Sequence, residues 1–129
     1  MINSQIYNYI NVLDKAADAS WVRNEVIANN IANADTPNYK RKDITFESYL
    51  ANELAGANSA SLGHAVANVE LDSLTATAYT DYGNLSYRLD GNNVDIDTEN
   101  VELASNQIKY QALLGSITNE FSMIKSAMQ

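Results

Sequence analysis

Apolar residues recur with alternating spacings of four and three at both ends of the chain. Near the N-terminus the alternation runs from Ile6 to Ile31, which is typical of a helix side that packs along a second helix. We therefore predict one long helix over residues 3–34. The predicted N-terminal seam comprises Ile6, Ile10, Leu13, Ala17, Ser20, Asn24, Ile27 and Ile31.

The C-terminal part of the chain repeats the pattern with larger side chains. We predict a second helix over residues 98–128, capped by Asp97 or Thr98, with Glu99 and Glu102 placed to complement the helix dipole. Two such seams predict a mainly α fold, in which the terminal helices pair as a coiled-coil-like hairpin and a short irregular and β mid-segment joins them. The predicted C-terminal seam comprises Leu103, Gln107, Tyr110, Leu114, Ile117, Phe121, Ile124 and Met128.

The first helix also has a second apolar side. Ala19, Val22 and Val26 lie beside the seam, and Trp21 lies to its other side. At about 1.5 Å per residue the helix is about 45 Å long, which is more than a chain of this size buries by itself. We therefore expect a face that another subunit covers, although packing within the chain remains an alternative for this second side.

The single proline marks the place where the first helix ends. Thr36 precedes Pro37 and is therefore biased toward an extended backbone. We expect Asn33 to take the left-handed conformation at the helix end. The amides of Asn30 and Asn33 can bind carbonyl groups left open by the helix end or by the following loop. An amide is not a usable acid or base, so these side chains indicate structure rather than catalysis.

The middle of the chain has weaker signals. Residues 43–46 alternate as a short strand would, whereas residues 46–54 can equally form a turn or two of helix. Residues 55–78 are partly small and polar, which favours a loop. Alternation over residues 79–96, interrupted by the turn signal at residues 90–93, predicts a small β-hairpin.

Composition excludes several classes of function. The net charge of −8 argues against binding to nucleic acid or to an anionic membrane, because phosphate groups need clustered cations. We expect the one basic run, Lys40 to Lys42, to be an exposed loop or a protein contact. The chain lacks cysteine, a recognisable cleavable signal peptide and an apolar run long enough for membrane insertion. If the protein leaves the cytoplasm, we expect a route that reads no such signal.

The acidic residues between Asp90 and Glu102 do not form a calcium loop. An EF-hand loop needs acidic or amide ligands at its first, third and fifth positions, Gly at the sixth and Glu at the twelfth. A loop that begins at Asp90 has Val94 at its fifth position and Val101 at its twelfth. The other registers fail in the same way, and no phosphate-binding loop or nucleophile motif occurs. We predict no catalytic residue, no metal, no cofactor and no enzymatic activity.

Two segments together resemble a known group of proteins. Residues 30–40, with the sequence Asn-Ile-Ala-Asn-Ala-Asp-Thr-Pro-Asn-Tyr-Lys, resemble the N-terminal signature of bacterial flagellar rod and hook proteins. Residues 87–99 and 121–128 are similar to the corresponding parts of a proximal rod protein. Asn38 stands where the family often has Gly, and Asn tolerates the same left-handed backbone, so we expect the turn to be kept.

The resemblance implies a structural subunit of the proximal rod in the flagellar basal body. It implies export through the flagellar type III apparatus, helical self-assembly into a drive-shaft tube, and an extracytoplasmic location in the cell envelope. Residues 1–34 and 98–129 then form one discontinuous tube-forming domain, and residues 35–97 form an outward-facing mid-segment. The implied partners are further copies of the chain, other rod proteins, the junction protein between the MS ring and the rod, the rod-cap assembly factor and the export apparatus.

Two alternatives remain open at this stage. The chain could be a non-catalytic helical binding module such as an export chaperone, or a different proximal rod protein. On the rod hypothesis, the residues expected to carry assembly are Ile27, Asn30, Ile31, Asn33, Thr36, Pro37, Tyr39, Asp90, Asn92, Asn93, Leu103, Tyr110, Leu114, Ile117, Phe121 and Ile124.

Overall fold

A computed structural model describes residues 6–57, 61–82 and 88–129. Two long helices dominate it: α1 spans Ile6–Ala32 and α4 spans Ile96–Ala127. The start of α4 lies beside the end of α1, so the two helices run antiparallel and make the most extensive contact in the chain. The prediction of a mainly α hairpin with a short mid-segment is confirmed.

The seam of α1 faces the interior as predicted. Ile10, Ala17, Ser20 and Ile27 are buried, and the other described seam positions are half-buried. The side chain of Ile6 lies outside the described residues. Apolar burial along this seam therefore accounts for the position of α1 in the hairpin.

The seam of α4 differs from the prediction at every second position. Gln107, Leu114 and Phe121 are exposed, and the buried position of the middle of the helix is Asn106. Asn106 donates to Ser20 O at 2.7 Å and to Asn24 Oδ1 at 2.9 Å, so a polar pairing fixes the register of the two helices. The observed inward positions are Glu99, Leu103, Asn106, Tyr110, Leu113, Ile117, Glu120 and Ile124.

The mid-segment contains more regular structure than the sequence predicts. Strand β1 and helix α2 follow one another, so both interpretations of residues 43–54 are confirmed. Strand β2 pairs antiparallel with β1, with Lys42 opposite Thr80 and Thr45 opposite Thr77. The elements are β1 at Lys42–Thr45, α2 at Glu47–Gly56, α3 at Leu62–Ala67, a 3-10 turn at Leu71–Ser73 and β2 at Thr77–Thr80.

The hairpin predicted over residues 79–96 does not form in the described part of that range. Residues 83–87, which include much of its first predicted strand, lie outside the described residues. Val94 precedes the helix without strand pairing, and Ile96 is already the first residue of α4. Val94 and Ile96 lie on either side of the residue that caps α4, which explains their alternation. That residue is Asp95, whose side chain accepts from the backbone N–H groups of Asp97 and Thr98. The caps predicted at Asp97 or Thr98 were therefore wrong by two or three residues.

The second apolar side of α1 is covered within the chain. Ala19 forms a buried cluster with Ile44, Phe46 and Leu74, and Val22 and Val26 pack against that cluster. The sheet and the 3-10 turn thus occupy the side for which a contact with another subunit and packing within the chain were both expected. Packing within the chain, the alternative, is correct here, because β1 returns along α1 immediately after the corner.

The helix end also differs in one detail. Asn38, not Asn33, takes the left-handed conformation, with φ of 61°. The expectation that Asn38 replaces a family glycine is therefore consistent with the backbone, and Asn33 remains in a right-handed turn. Among the helices of the described residues, none has the length and apolarity that crossing a bilayer requires.

Candidate functional site

Asn30 is the centre of the corner between α1 and the mid-segment. Its side chain is fully buried. The amide nitrogen donates to Lys42 O at 2.8 Å and to Glu99 Oε2 at 3.0 Å. The amide oxygen accepts from Lys42 N at 2.9 Å and from the Tyr39 hydroxyl at 3.2 Å. One side chain therefore joins α1, β1 and α4, as an amide with two donors and one acceptor oxygen can do.

A buried ion pair lies beside Asn30. Arg41 Nε donates to Glu99 Oε1 at 2.6 Å and Arg41 Nη1 donates to Asp81 Oδ2 at 2.8 Å. Glu99 is 1 % exposed. Burial by itself lowers the pKa of Arg41, but the hydrogen bonds with Glu99 and Asp81 outweigh it and raise that pKa above its ordinary value. Burial, followed by the charge of Glu99, raises the pKa of the Tyr39 hydroxyl.

The expectation that Lys40 to Lys42 form an exposed basic run is therefore wrong for Arg41, its middle residue. Arg41 is held inside by two carboxylates, and Lys40 donates from Nζ to the carbonyl oxygen of Gly91. Lys42 is exposed, although both its backbone N–H and its backbone carbonyl oxygen bind the Asn30 side chain. The run acts within the chain because β1 begins there and places alternate side chains toward α4 and the solvent.

The turn that contains Asn92 binds the turn that follows α1. Asn92 is fully buried and donates from Nδ2 to Asn33 O at 2.8 Å and to Thr36 O at 2.9 Å. Its Oδ1 accepts from Val94 N at 2.8 Å. These two carbonyl oxygens already accept from the backbone N–H of Thr36 and Tyr39, and each receives a second donor from a turn more than fifty residues further along the chain. This contact ties the exit from α1 to the entry into α4.

Two backbone conformations make the turns fit together. Asn38 has a left-handed backbone, and its N donates to Asp90 O at 2.7 Å. Gly91 has φ of 76°, and a Cβ there would lie 2.8 Å from Asn38 Oδ1. The backbone favours glycine at this position, and a side chain there would also displace the end of the exposed Asn38 side chain. Asn93 completes the joint, since its Oδ1 accepts from Arg41 N at 2.6 Å and its Nδ2 donates to Asp81 O at 2.8 Å.

The structure brings some predicted assembly residues together and leaves others apart. The corner collects seven of them, whereas Pro37 is exposed beside it and Ile27 and Ile31 lie on α1 just before it. The remaining six lie along α4, away from the corner. The seven corner residues are Asn30, Asn33, Thr36, Tyr39, Asp90, Asn92 and Asn93.

The six residues on α4 divide by exposure. Leu103, Tyr110, Ile117 and Ile124 are half-buried in the hairpin seam. Leu114 and Phe121 lie on the flank of that seam and are 42 % and 51 % exposed. The other large apolar side chains that α4 exposes are Ile96, Val101, Ile108, Met123 and, just beyond its end, Met128.

Sequence reasoning missed the charged members of the site. Arg41 was expected to be exposed, Glu99 was placed in the first turn of the second helix, and Asp81 was not singled out, yet these three side chains form the buried ion pairs of the site. For Glu99 a signal exists: it stands four residues before Leu103, on the same helix side as the true seam. For Asp81 there is none, because its contact with Arg41 depends on the pairing of β1 with β2.

A second ion cluster joins α1, α2 and α4. Arg23 donates from Nη1 and Nη2 to the two carboxylate oxygens of Glu47 at 2.6 and 2.7 Å, and Lys109 Nζ donates to Glu47 Oε1 at 2.7 Å. The hydrogen bonds from Arg23, aided by the one from Lys109, hold the pKa of Glu47 well below its ordinary value of 4.5, although partial burial opposes this. The same contact with Glu47 raises the pKa of Arg23.

Glu47→Gln should reduce the stability of the protein at neutral pH and much less in acid. Because the pKa of Glu47 is lower in the folded chain than in the unfolded one, its stabilising effect is complete above pH 4.5 and is lost as the pH falls further. The Glu47 side chain is half exposed, so the loss at pH 7 is about 1 kcal/mol or less. Urea unfolding at pH 7 and at pH 3 measures the difference, with the exposed Glu102→Gln as control. An equal deficit of Glu47→Gln at both pH values would contradict this coupling.

Asn92→Ala should destabilise the protein by about 2–3 kcal/mol, because it removes one of the two donors to Asn33 O and to Thr36 O and leaves the buried Val94 N without its acceptor. Urea unfolding measures the loss, and the exposed Asn100→Ala on α4 is the matched control. Amide exchange should also accelerate at Thr36 and Asn38, whose backbone donors lie in the joined turns. A loss below about 0.5 kcal/mol would show that the two turns are not coupled through Asn92.

The arrangement holds chain segments together and has little capacity for chemistry. Its carboxylates and guanidinium groups are engaged with each other and with the backbone. Among residues 6–57, 61–82 and 88–129, no group of His, Asp and Glu side chains has a geometry that could hold a metal ion. A groove of about 220 Å³ beside the corner is lined by Val26, Asn29, Asn33, Tyr39 and Lys42.

Comparisons with known proteins agree with this structural character. A family model described as flagella basal body rod protein matches residues 10–40, which contain most of α1 and the first turn of the corner. This match, with the relatives that follow, assigns the chain to the class of flagellar basal body rod proteins.

Similar proteins narrow the class. The chain is 36 % identical over 116 residues to the flagellar basal body rod protein FlgB of Bacillus subtilis, covering 90 % of this chain and 89 % of the relative. It is 35 % identical over 114 residues to FlgB of Escherichia coli, with 83 % of each chain covered. It is 32 % identical over 123 residues to FlgB of Borrelia hermsii, covering 89 % of this chain and 91 % of the relative.

The chain therefore belongs to the FlgB family of flagellar basal body rod proteins. The prediction of a structural protein rather than an enzyme is confirmed by this membership. A basal body rod protein resides in the flagellum and assembles with other flagellar components, which favours the rod subunit over the export chaperone among the two classes considered above.

Proposed function

We propose that the chain is a structural subunit of the proximal rod, exported through the flagellar type III apparatus and assembled helically with further copies and with other rod proteins. Its family membership supports a place in the basal body. Export of an unfolded chain suits a fold without disulfides, whose helices gain part of their burial from neighbouring subunits.

The observation that carries this proposal is the unequal burial of the two long helices. The interlocked corner joins α1 to the start of α4, whereas Leu114 and Phe121 in the second half of α4 stay uncovered. Exposed large apolar side chains on one helix are typical of protein contacts. We infer that residues 1–34 and 98–129 act as the tube-forming domain and that residues 35–97, which pack along one side of α1, face outward from the tube.

Within this proposal the corner has a positioning role. Asn30 and Asn92 fix the direction in which the mid-segment leaves the hairpin. The exposed Pro37 and the residues around it are then presented to neighbouring subunits at a defined angle. The proposed neighbours are the MS-ring junction protein, other rod proteins, the rod-cap assembly factor and, during export, the export apparatus.

Fractionation of flagellated cells tests the proposed function. An antibody against the chain should detect it in purified hook–basal bodies, resistant to the detergent that removes the membranes. A strain that lacks the gene provides the negative control. Recovery of the chain as a soluble complex with a single client, and not with basal bodies, would contradict the rod function and favour a chaperone.

A further inference from the structure

The exposed face of α1 has an unusual composition. Tyr7, Asp14, Asp18, Trp21 and Glu25 fall within an arc of about 60° on the helix, at spacings of seven, four, three and four residues. All five are exposed, and Trp21 is 56 % exposed. We call these five residues the Trp21 face. Trp21 is the only tryptophan in the chain.

The side chain of Tyr110 on α4 packs against one side of the Trp21 ring. The two ring centroids lie 6.1 Å apart, at an interplanar angle of 48°. An aromatic side chain that is anchored on one side and open on the other loses little conformational freedom when a partner covers it. Tryptophan in such a setting is the residue type most enriched among the residues that dominate binding energy.

The carboxylates of the Trp21 face are free of ion pairs within residues 6–57, 61–82 and 88–129. The two cations of α1 form no ion pair with them. Arg23 is bound to Glu47, and Lys15 stands three residues before Asp18 without pairing with it. The face therefore combines an aromatic anchor with three carboxylates, and a net negative charge, over about 16 Å of helix.

We propose that the Trp21 face is a docking surface for a basic amphipathic helix of a different protein subunit. Lysine or arginine side chains of that helix pair with Asp14, Asp18 and Glu25, and one of them, or an apolar neighbour, covers the open side of Trp21. This inference rests on the proposed function, since it names the chemistry of one neighbour in the assembly.

A second copy of the chain does not fit this surface through its own Trp21 face, and it offers few cations outside ion pairs elsewhere. The chain has a net charge of −8, and four of its eight cationic side chains already lie in ion pairs within the chain. Two copies that met through the Trp21 face would bring three carboxylates from each into contact, which is unfavourable. The negative charge of the Trp21 face thus favours a basic neighbour that is a different protein.

The fluorescence of Trp21 reports binding to the purified full-length chain. The probe is an 18-residue helical peptide of lysine, leucine and alanine, with lysines spaced to face Asp14, Asp18 and Glu25. The same peptide with glutamate in place of lysine is the control. We expect saturable binding of the lysine peptide and no binding of the glutamate peptide. Binding of the lysine peptide should weaken steeply between 50 and 300 mM NaCl, a range over which the screening length changes by about twofold.

Two triple variants with the same change in net charge separate a specific surface from general acidity. D14N/D18N/E25Q should weaken binding of the lysine peptide about tenfold or more, equivalent to about 1.4 kcal/mol. E70Q/D72N/E102Q, which neutralises exposed carboxylates elsewhere, should change it by less than about twofold. Equal weakening by both variants, binding of the glutamate peptide, or self-association that only D14N/D18N/E25Q removes would overturn the proposal.

The same variants in cells separate this inference from the proposed function. D14N/D18N/E25Q should reduce incorporation into basal bodies, whereas E70Q/D72N/E102Q should not. Normal incorporation and motility of both variants would overturn the docking surface while leaving the rod function in place. Absence of the wild-type chain from basal bodies would overturn the rod function itself, and the docking surface with it.

Discussion

Deletion of residues 110–129 should abolish rod assembly and motility. The deletion removes the second half of α4, which includes the exposed Leu114 and Phe121 and the half-buried Ile117 and Ile124. Because Trp21 packs on Tyr110 in an antiparallel pair, the part of α1 before Trp21 lies against the deleted segment and loses its covering as well. The truncated chain thus loses both its helical hairpin and the surface offered to neighbours.

The measurement is swarming in soft agar together with electron microscopy of basal bodies, in a strain that lacks the gene and carries the truncated copy. Deletion of residues 128–129 is the matched control, since α4 ends at Ala127 and remains whole. The control strain should swim normally. A motile cell that carries the longer deletion would refute the role assigned to α4.

Glu99→Ala should destabilise the chain by about 3–5 kcal/mol, which is the usual effect of removing one partner of a buried ion pair. The substitution leaves Arg41, whose side chain is 12 % exposed, without its shortest carboxylate contact, and it removes one acceptor of the buried Asn30 amide. A loss of this size is a large fraction of the total stability of a small domain. We therefore expect a protein that is partly unfolded at 37 °C.

Urea unfolding of wild type, Glu99→Ala and the exposed control Glu102→Ala measures this effect. The control should lie within about 0.5 kcal/mol of wild type. A double-mutant cycle with Arg41→Met isolates the pair, and the double variant should lose less than the sum of the single variants. Additive losses, or a loss below about 1 kcal/mol for Glu99→Ala, would show that the ion pair does not stabilise the corner.

The terminal helices were predictable because their patterns are local. The spacing of Ile10, Ala17 and Ile27 defines one side of α1 without knowledge of what covers it. The turn at Asn38 was also predictable, since a left-handed backbone is a property of one residue and its neighbours.

The register of α4 was not predictable from apolar spacing alone. A search for apolar positions passes over Asn106 and selects Leu114 and Phe121, which are large and apolar but exposed. The inward position of Asn106 depends on acceptors at Ser20 and Asn24 on the other helix. A polar seam residue is recognised only when its partner is known.

The corner was predictable in composition but not in its contacts. Its asparagines were identified, yet Asn92 meets Asn33 across 59 residues of sequence and Arg41 meets Glu99 across 58. Strand β2 pairs with β1 across a shorter but still long stretch of sequence, from Thr45 to Thr77 at its nearest, and local alternation instead suggested a hairpin after residue 79. Contacts between residues so far apart leave no local signal in either segment.

The central claim is that the apolar surface left open on α4 binds neighbouring subunits in the rod. Phe121→Asp tests this claim most directly, because the Phe121 side chain is half exposed in the single chain. The control is Ser105→Asp, which places the same charge at another exposed position of α4. Both variants should keep the urea-unfolding free energy within about 1 kcal/mol of wild type. Phe121→Asp should be absent from purified basal bodies, whereas Ser105→Asp is incorporated. Normal incorporation of Phe121→Asp would contradict the claim.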